Sequence, residues 1–164
     1  MGLKTQTGKV ITSFGVKPIV SVSWQRDNFW LYGVVEPLSG WHFTQSYPHL
    51  DSENFQQFID ALSRQLGDEL AIIQLDQAGA HMTSSLRWPE NLLPICQPAH
   101  SPELNPIERL WQFIKAQLKG EHFATLEHLR QRLHHVLEQL TPERIISLSS
   151  YNFLLEALFY AASN

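Results

Sequence analysis

Two segments decide how this chain is read: Leu75-Asp76-Gln77-Ala78-Gly79-Ala80-His81 and Ser101-Pro102-Glu103-Leu104-Asn105-Pro106-Ile107-Glu108-Arg109-Leu110-Trp111. The first puts a carboxylate directly after the apolar run Leu70–Leu75, which reads as a short strand. Open α/β sheets gather ligands at the carboxyl ends of their strands. The second opens a helix, with Asn105 at the N-cap, Pro106 at the first helical position and Glu108 in the first turn. One acid at a strand end and another at a helix start is a common frame for phosphoryl transfer with divalent metals.

Each acid also has a plainer reading. Asp76 alone fits an aspartate that caps the turn after a strand. Glu108 alone fits the third-position glutamate of a capping box. The two enclose residues 77–107, which hold one strand and two loops. That is enough chain to return both side chains to one sheet edge.

Working outward, Met1–Lys17 is polar, with glycines at 2, 8 and 15, and reads as a loop or extended arm. Pro18–Trp24 alternates apolar residues with serines and reads as a strand. Phe29–Glu36 and Trp41–Tyr47 form a hairpin about the turn Pro37–Gly40. Asp51–Leu66 is an amphipathic helix with Asp51 at its N-cap, since Phe55, Phe58, Ile59, Leu62 and Leu66 recur at three- and four-residue steps. Leu70–Leu75 and Leu92–Gln97 read as buried strands, the first covered on both faces. A short helix is expected over Thr83–Trp88, stopped by Pro89. Helices follow over Asn105–Leu118, ended by Gly120, and over Leu126–Leu140. Another starts at Thr141-Pro142, and Ser149–Ser163 reads as helical. The order is that of an α/β layered fold.

Composition bounds the function. The chain has 164 residues, of which 43% are hydrophobic and 17% charged, as in an ordinary folded domain. No apolar run can span a membrane and Met1–Thr5 has no signal core, so the expected compartment is the cytoplasm. The net charge of −4 argues against strong unaided DNA binding. Lys115, Lys119, Arg130, Arg132 and Arg144 could still form a local patch, although each taken singly fits a solvated helix surface. Cys96 is the only cysteine and reads as a buried strand residue. His122, His128, His134 and His135 lack the partners and spacing of a zinc site. No phosphate-binding glycine loop, dinucleotide fingerprint or serine nucleophile elbow is present.

The segment Asp76–His81 and the octapeptide Ser101–Glu108 resemble the corresponding motifs of DDE transposases, in the bacterial insertion-sequence branch of the Tc/mariner superfamily. The resemblance extends over essentially the whole chain. It implies a ribonuclease-H-like, integrase-type fold entered at its second strand, with additional C-terminal helices, and makes residues 1–164 one partial endonuclease domain. It implies that Asp76 and Glu108 are the second and third acids of a catalytic triad and ligands of Mg2+, with Mn2+ as a substitute. His81 matches the family's histidine, with a DNA-contacting or acid-orienting role set against that of a loop or capping residue. Arg109 and Lys115 are candidate DNA contacts, while Trp111 and Phe113 read as packing residues.

The implied reaction is hydrolysis of a phosphodiester at an element end, then strand transfer by the freed 3′-hydroxyl. The implied partners are element-end and target DNA, held weakly or not at all by this chain alone, and a second copy or an upstream transposase fragment. Action would be at the nucleoid. The family's first aspartate lies on a strand upstream of a segment like Met1–Thr5. The expectation is therefore a chain without that strand, either a gap between Phe29–Glu36 and Leu70–Leu75 or a shift of Pro18–Trp24 to fill it, a poorly anchored Met1–Gly15, and no DNA cleavage by the chain alone. Asp27 and Asp51 do not occupy the position of a central-strand aspartate. The alternatives are a non-catalytic remnant or protein-interaction module, and a different ribonuclease-H-like nuclease, which the octapeptide disfavours.

Overall fold

The computed structural model describes residues 28–76, 85–98, 104–152 and 156. The expectations for Met1–Gly15, Pro18–Trp24, Asp27, His81 and most of Ser149–Ser163 fall outside those residues. The described elements are β1 (Trp30–Val35), β2 (His42–Tyr47), α1 (Ser52–Leu66), β3 (Ala71–Leu75), β4 (Leu92–Cys96), α2 (Ile107–Gln117), α3 (Leu126–Glu138) and α4 (Pro142–Ser149).

β1 and β2 form the expected antiparallel hairpin, with Trp30 opposite Tyr47 and Val35 opposite His42. β3 and β4 pair in parallel, Ala71 with Leu92 through Leu75 with Cys96. Among the described residues these are two separate two-stranded sheets, and β1 and β3 do not pair with each other.

Alternation along β1 divides its side chains between two layers. Tyr32 and Val34 face α1, where Phe55, Phe58, Ile59 and Leu62 form the buried stripe. Tyr32 lies 5.5 Å from Phe58 and 5.9 Å from Phe55 between ring centroids. Leu31 and Val35 face the other way, onto a core built by Ile107, Leu110 and Ile114 of α2, Leu129, Leu133 and Val136 of α3, and Ile145 of α4. Burying a large apolar side chain in this way stabilises by roughly 1.5–3 kcal/mol. Helices thus cover the hairpin on both faces. α2 comes close because β1 offers Gly33: a Cβ there would stand 2.7 Å from the Trp111 ring.

α1 also spans the second sheet, packing on Ile73, Leu75 and Leu92. Its end is fastened by Asn91, whose amide donates to the Ser63 and Gly67 carbonyls at 3.2 and 2.9 Å. The opposite face departs from expectation. Ile72 of β3 is 66% exposed, and Leu93 and Ile95 of β4 are 53% and 48% exposed, so among the described residues this sheet is covered on one face only. Cys96 is exposed as well. A short apolar run does not by itself say how many faces are covered. The expected helix over Thr83–Trp88 also fails in its described part, because residues 85–88 form a turn and irregular chain.

The helix caps follow the sequence. The Asp51 carboxylate accepts the Asn54 amide at 2.8 Å, and the Thr141 hydroxyl accepts the Arg144 amide at 3.3 Å ahead of Pro142. Thr125 caps α3 in the same way. Among the described residues no helix is long and apolar enough to cross a membrane.

Two tests address this packing. Gly40 has φ +74°, and a Cβ on it would lie 2.2 Å from the Pro142 carbonyl oxygen. Gly67 has φ +62° with nothing within 4 Å of its notional Cβ. Both alanine variants put a side chain on a positive-φ backbone, which costs on the order of 1–3 kcal/mol. Only Gly40→Ala must also displace α4, so urea unfolding should show it clearly less stable than Gly67→Ala. Equal losses would contradict the contact. The second test is acid titration. Bonds from the Asn54 amide, then from the Asn54 side chain, hold Asp51 below its ordinary pKa against a smaller opposing desolvation. Its contribution is complete above the unfolded carboxylate value and is lost as pH falls through the lower folded value. Asp51→Asn should therefore lose less stability than the parent between neutral pH and pH values below about 4.

Candidate active site

The two candidate acids follow the end of β3 and stand at the start of α2. Parallel pairing puts the carboxyl ends of β3 and β4 at the same edge. The ladder continues one step further, where the Gln97 amide donates to the Leu75 carbonyl at 2.8 Å. Asp76 follows immediately and is half-buried. By strand alternation it takes the same side as Gln74.

Gln74 joins this edge to the next helix. Its Nε2 donates to the Gln97 Oε1 at 3.1 Å and to the Leu104 carbonyl at 3.0 Å. Leu104 directly precedes Asn105, whose Oδ1 accepts the Ile107 amide at 3.3 Å and whose carbonyl accepts the Glu108 amide at 3.1 Å. Asn105 thus caps α2 as the sequence suggests, although the regular helix begins at Ile107. Among the described residues the Glu108 carboxylate makes no hydrogen bond back to the Asn105 amide. The asparagine side chain alone serves the helix end, which leaves the glutamate available for another partner. The positive end of a helix stabilises an anion there.

α2 separates its functions by face. Ile107, Leu110 and Ile114 are buried in the core. Glu108 is half-buried, and Lys115 is exposed seven residues later. Two helical turns put Lys115 on nearly the same face, about 10 Å further along the axis. Arg109 points elsewhere. Its guanidinium lies 4.1 Å from the centre of the Tyr151 ring and borders an open cleft with Ser150, Asn152 and Glu156. Trp111 and Phe113 pack against the core, as expected.

The described structure therefore links the end of β3 to the turn before α2 through Gln74 and Leu104, sets Lys115 along the Glu108 face and engages Arg109 with Tyr151. His81 lies outside the described residues. Sequence reasoning missed Gln74 and Tyr151. Neither stands in a recognisable motif; the only hint at Gln74 was a polar residue inside an otherwise apolar strand.

Comparison with known proteins agrees with this architecture. In solved structures the fold resembles that of Mos1 transposase. The match to the Mos1 strand transfer complex has a TM-score of 0.68 at 17% identity, covering 90% of this chain and 47% of that one. The match to a pre-cleavage Mos1 transpososome has a TM-score of 0.69 at 16% identity, covering 90% and 48%. The fold is thus α/β and ribonuclease-H-like, as expected. The chain is also 37% identical over 87 residues to the uncharacterised protein y4pE/y4sA of Sinorhizobium fredii (strain NBRC 101917 / NGR234), covering 52% of this chain and 64% of that protein. It spans less than two thirds of that relative and about half of each Mos1 chain. The family model described as DDE superfamily endonuclease matches residues 2–130, and the chain belongs to that family.

Proposed function

We propose that this chain supplies Asp76 and Glu108 to the DNA-cutting and DNA-joining centre of an insertion-sequence transposase related to Tc/mariner elements. The observation that carries the reading is the Gln74 bridge, which joins the strand end before Asp76 to the turn before Glu108. In the first step water attacks a phosphorus at the element end and the bond to the 3′-oxygen breaks, freeing a 3′-hydroxyl. In the second, that hydroxyl attacks a target phosphodiester and displaces another 3′-oxygen.

Asp76 and Glu108 offer hard, anionic oxygens, a donor set suited to Mg2+, with Mn2+ as its substitute. When bound, the ions would acidify the attacking hydroxyl and offset charge on the leaving oxygen. Among the described residues no three histidine, cysteine, aspartate or glutamate side chains gather as a metal site. Two carboxylates are few for two ions. We propose that a third acid comes from outside the described residues, in cis or from a paired transposase fragment, and that Asp76 and Glu108 do not cut DNA without it. Lys115 and Arg109 would hold flanking phosphates, and His81 would touch DNA or orient an acid. The setting would be the cytoplasm, at the nucleoid, with a second copy of the chain as a possible further partner.

Cleavage of an element-end duplex with Mg2+ or Mn2+ tests this directly. The chain, a form extended upstream through an aspartate-bearing strand, and the extended form with Glu108→Gln would be compared. Only the extended parent should cleave. Cleavage by the short chain would overturn the inactivity, and cleavage by the Glu108→Gln form would remove Glu108 from the chemistry. A silent extended form that folds and binds the end would favour a non-catalytic remnant or interaction module. In the active form, Gln74→Leu should lower the rate about 10–100-fold, the usual cost of losing a group that orients metal ligands. A parental rate would show that the bridge does not position the site.

A further inference from the structure

Arginines on α2–α4 fall into two kinds. Arg132 forks onto Glu121, with Nε 3.0 and 3.1 Å from the two carboxylate oxygens and Nη2 2.9 Å from one of them. Its charge is matched locally. Arg109, Arg130 and Arg144 instead lie over aromatic rings: Arg109 is 4.1 Å from the Tyr151 centroid, Arg130 5.2 Å from that of Phe29, and Arg144 4.9 Å from that of Phe113. All three are exposed, and none forms an ion pair among the described residues.

The Arg109–Tyr151 and Arg144–Phe113 pairs are linked through α2 and α4. Arg109 and Phe113 are a turn apart on α2, Arg144 reaches Phe113 from α4, and Tyr151 follows α4 directly. A ring beneath a guanidinium restrains it while leaving its N–H edge open, and that planar edge matches phosphate oxygens. The neighbouring acids are differently committed. Glu143 is held below its ordinary pKa by its own backbone amide and then by Thr141, so its charge serves the start of α4. Glu156 borders the Arg109 cleft and offsets part of that charge, which leaves Arg144 the less compensated of the two.

We propose that the Arg109–Tyr151 and Arg144–Phe113 pairs form a docking ridge for the phosphate backbone of duplex DNA beside the reactive phosphodiester. The inference rests on the reading that this chain acts on DNA. It extends that reading by assigning Arg144, and the two rings beneath the arginines, to DNA positioning. The ridge begins at Arg109, one residue along α2 from Glu108 but on another face, so DNA bound there would run alongside the helix that carries the proposed metal ligand. It also gives an acidic chain a local cationic track.

The test is binding of a labelled duplex of arbitrary sequence to the full chain in EDTA, across a salt series. Backbone contacts need neither a particular sequence nor metal. Arg144→Gln should weaken binding and reduce the slope of log affinity against log salt by about one. Arg109→Gln should act in the same direction. Phe113→Leu should weaken binding with little change of slope, since it keeps the charge and removes the ring. Arg132→Gln alters net charge equally and should leave the slope alone. Circular dichroism checks folding, and Arg144→Lys serves as a second variant that should retain the slope. The ridge is overturned if the parent does not bind, if both glutamine variants keep its slope, or if Arg132→Gln lowers the slope as much. Because no metal is present, the result is separable from the chemistry. An intact ridge with no cleavage by the extended chain counts against the metal site alone.

Discussion

Gln74 uses one amide nitrogen to connect three segments: its own strand, the end of β4 at Gln97, and the approach to α2 at Leu104. Parallel strands can bring two chain ends to one edge, but they do not determine how the following helix is aimed. The bond to the Leu104 carbonyl supplies that constraint. Buried polar groups are costly when unpaired, so a part-buried glutamine with both donor positions used is also a specific one. The proposed chemistry depends on this junction, since Asp76 and Glu108 stand two and four residues from its two ends.

The packing around the junction is divided between layers. α1 holds both sheets from one side, using aromatic residues against the hairpin and aliphatic contacts against β3 and β4. α2 reaches the other side of the hairpin because Gly33 leaves room for Trp111. One amphipathic helix can then bury Leu110 and Ile114 while carrying Glu108 and Lys115 outward. Substrate binding would therefore act on a helix already fixed by its core face.

Local patterns were the most legible part of the sequence. The hairpin, the helical stripe of α1 and the caps at Asp51, Asn105 and Thr141 each rest on neighbouring residues, and all are present. Asp76 and Glu108 stood out because they fall in motifs. What depended on distant partners was not legible. Ile72, Leu93 and Ile95 read as buried because an apolar run carries no record of which faces are covered, and Cys96 was misread for the same reason. The competition between capping and ligation at Glu108 needed the actual position of the Asn105 side chain. The Gln74 bridge spans thirty residues of sequence, and the Arg144–Phe113 contact joins two helices, so neither leaves a local pattern.

The central claim is that the ends of β3 and α2 form one cation site. Titrating isotopically labelled chain with Mn2+ and following paramagnetic broadening of its backbone amides measures this without requiring turnover. The account predicts early, selective broadening at Gln74–Asp76 and Ile107–Arg109, weakened by either Asp76→Asn or Glu108→Gln. Broadening centred elsewhere, or unchanged by both substitutions, would contradict it.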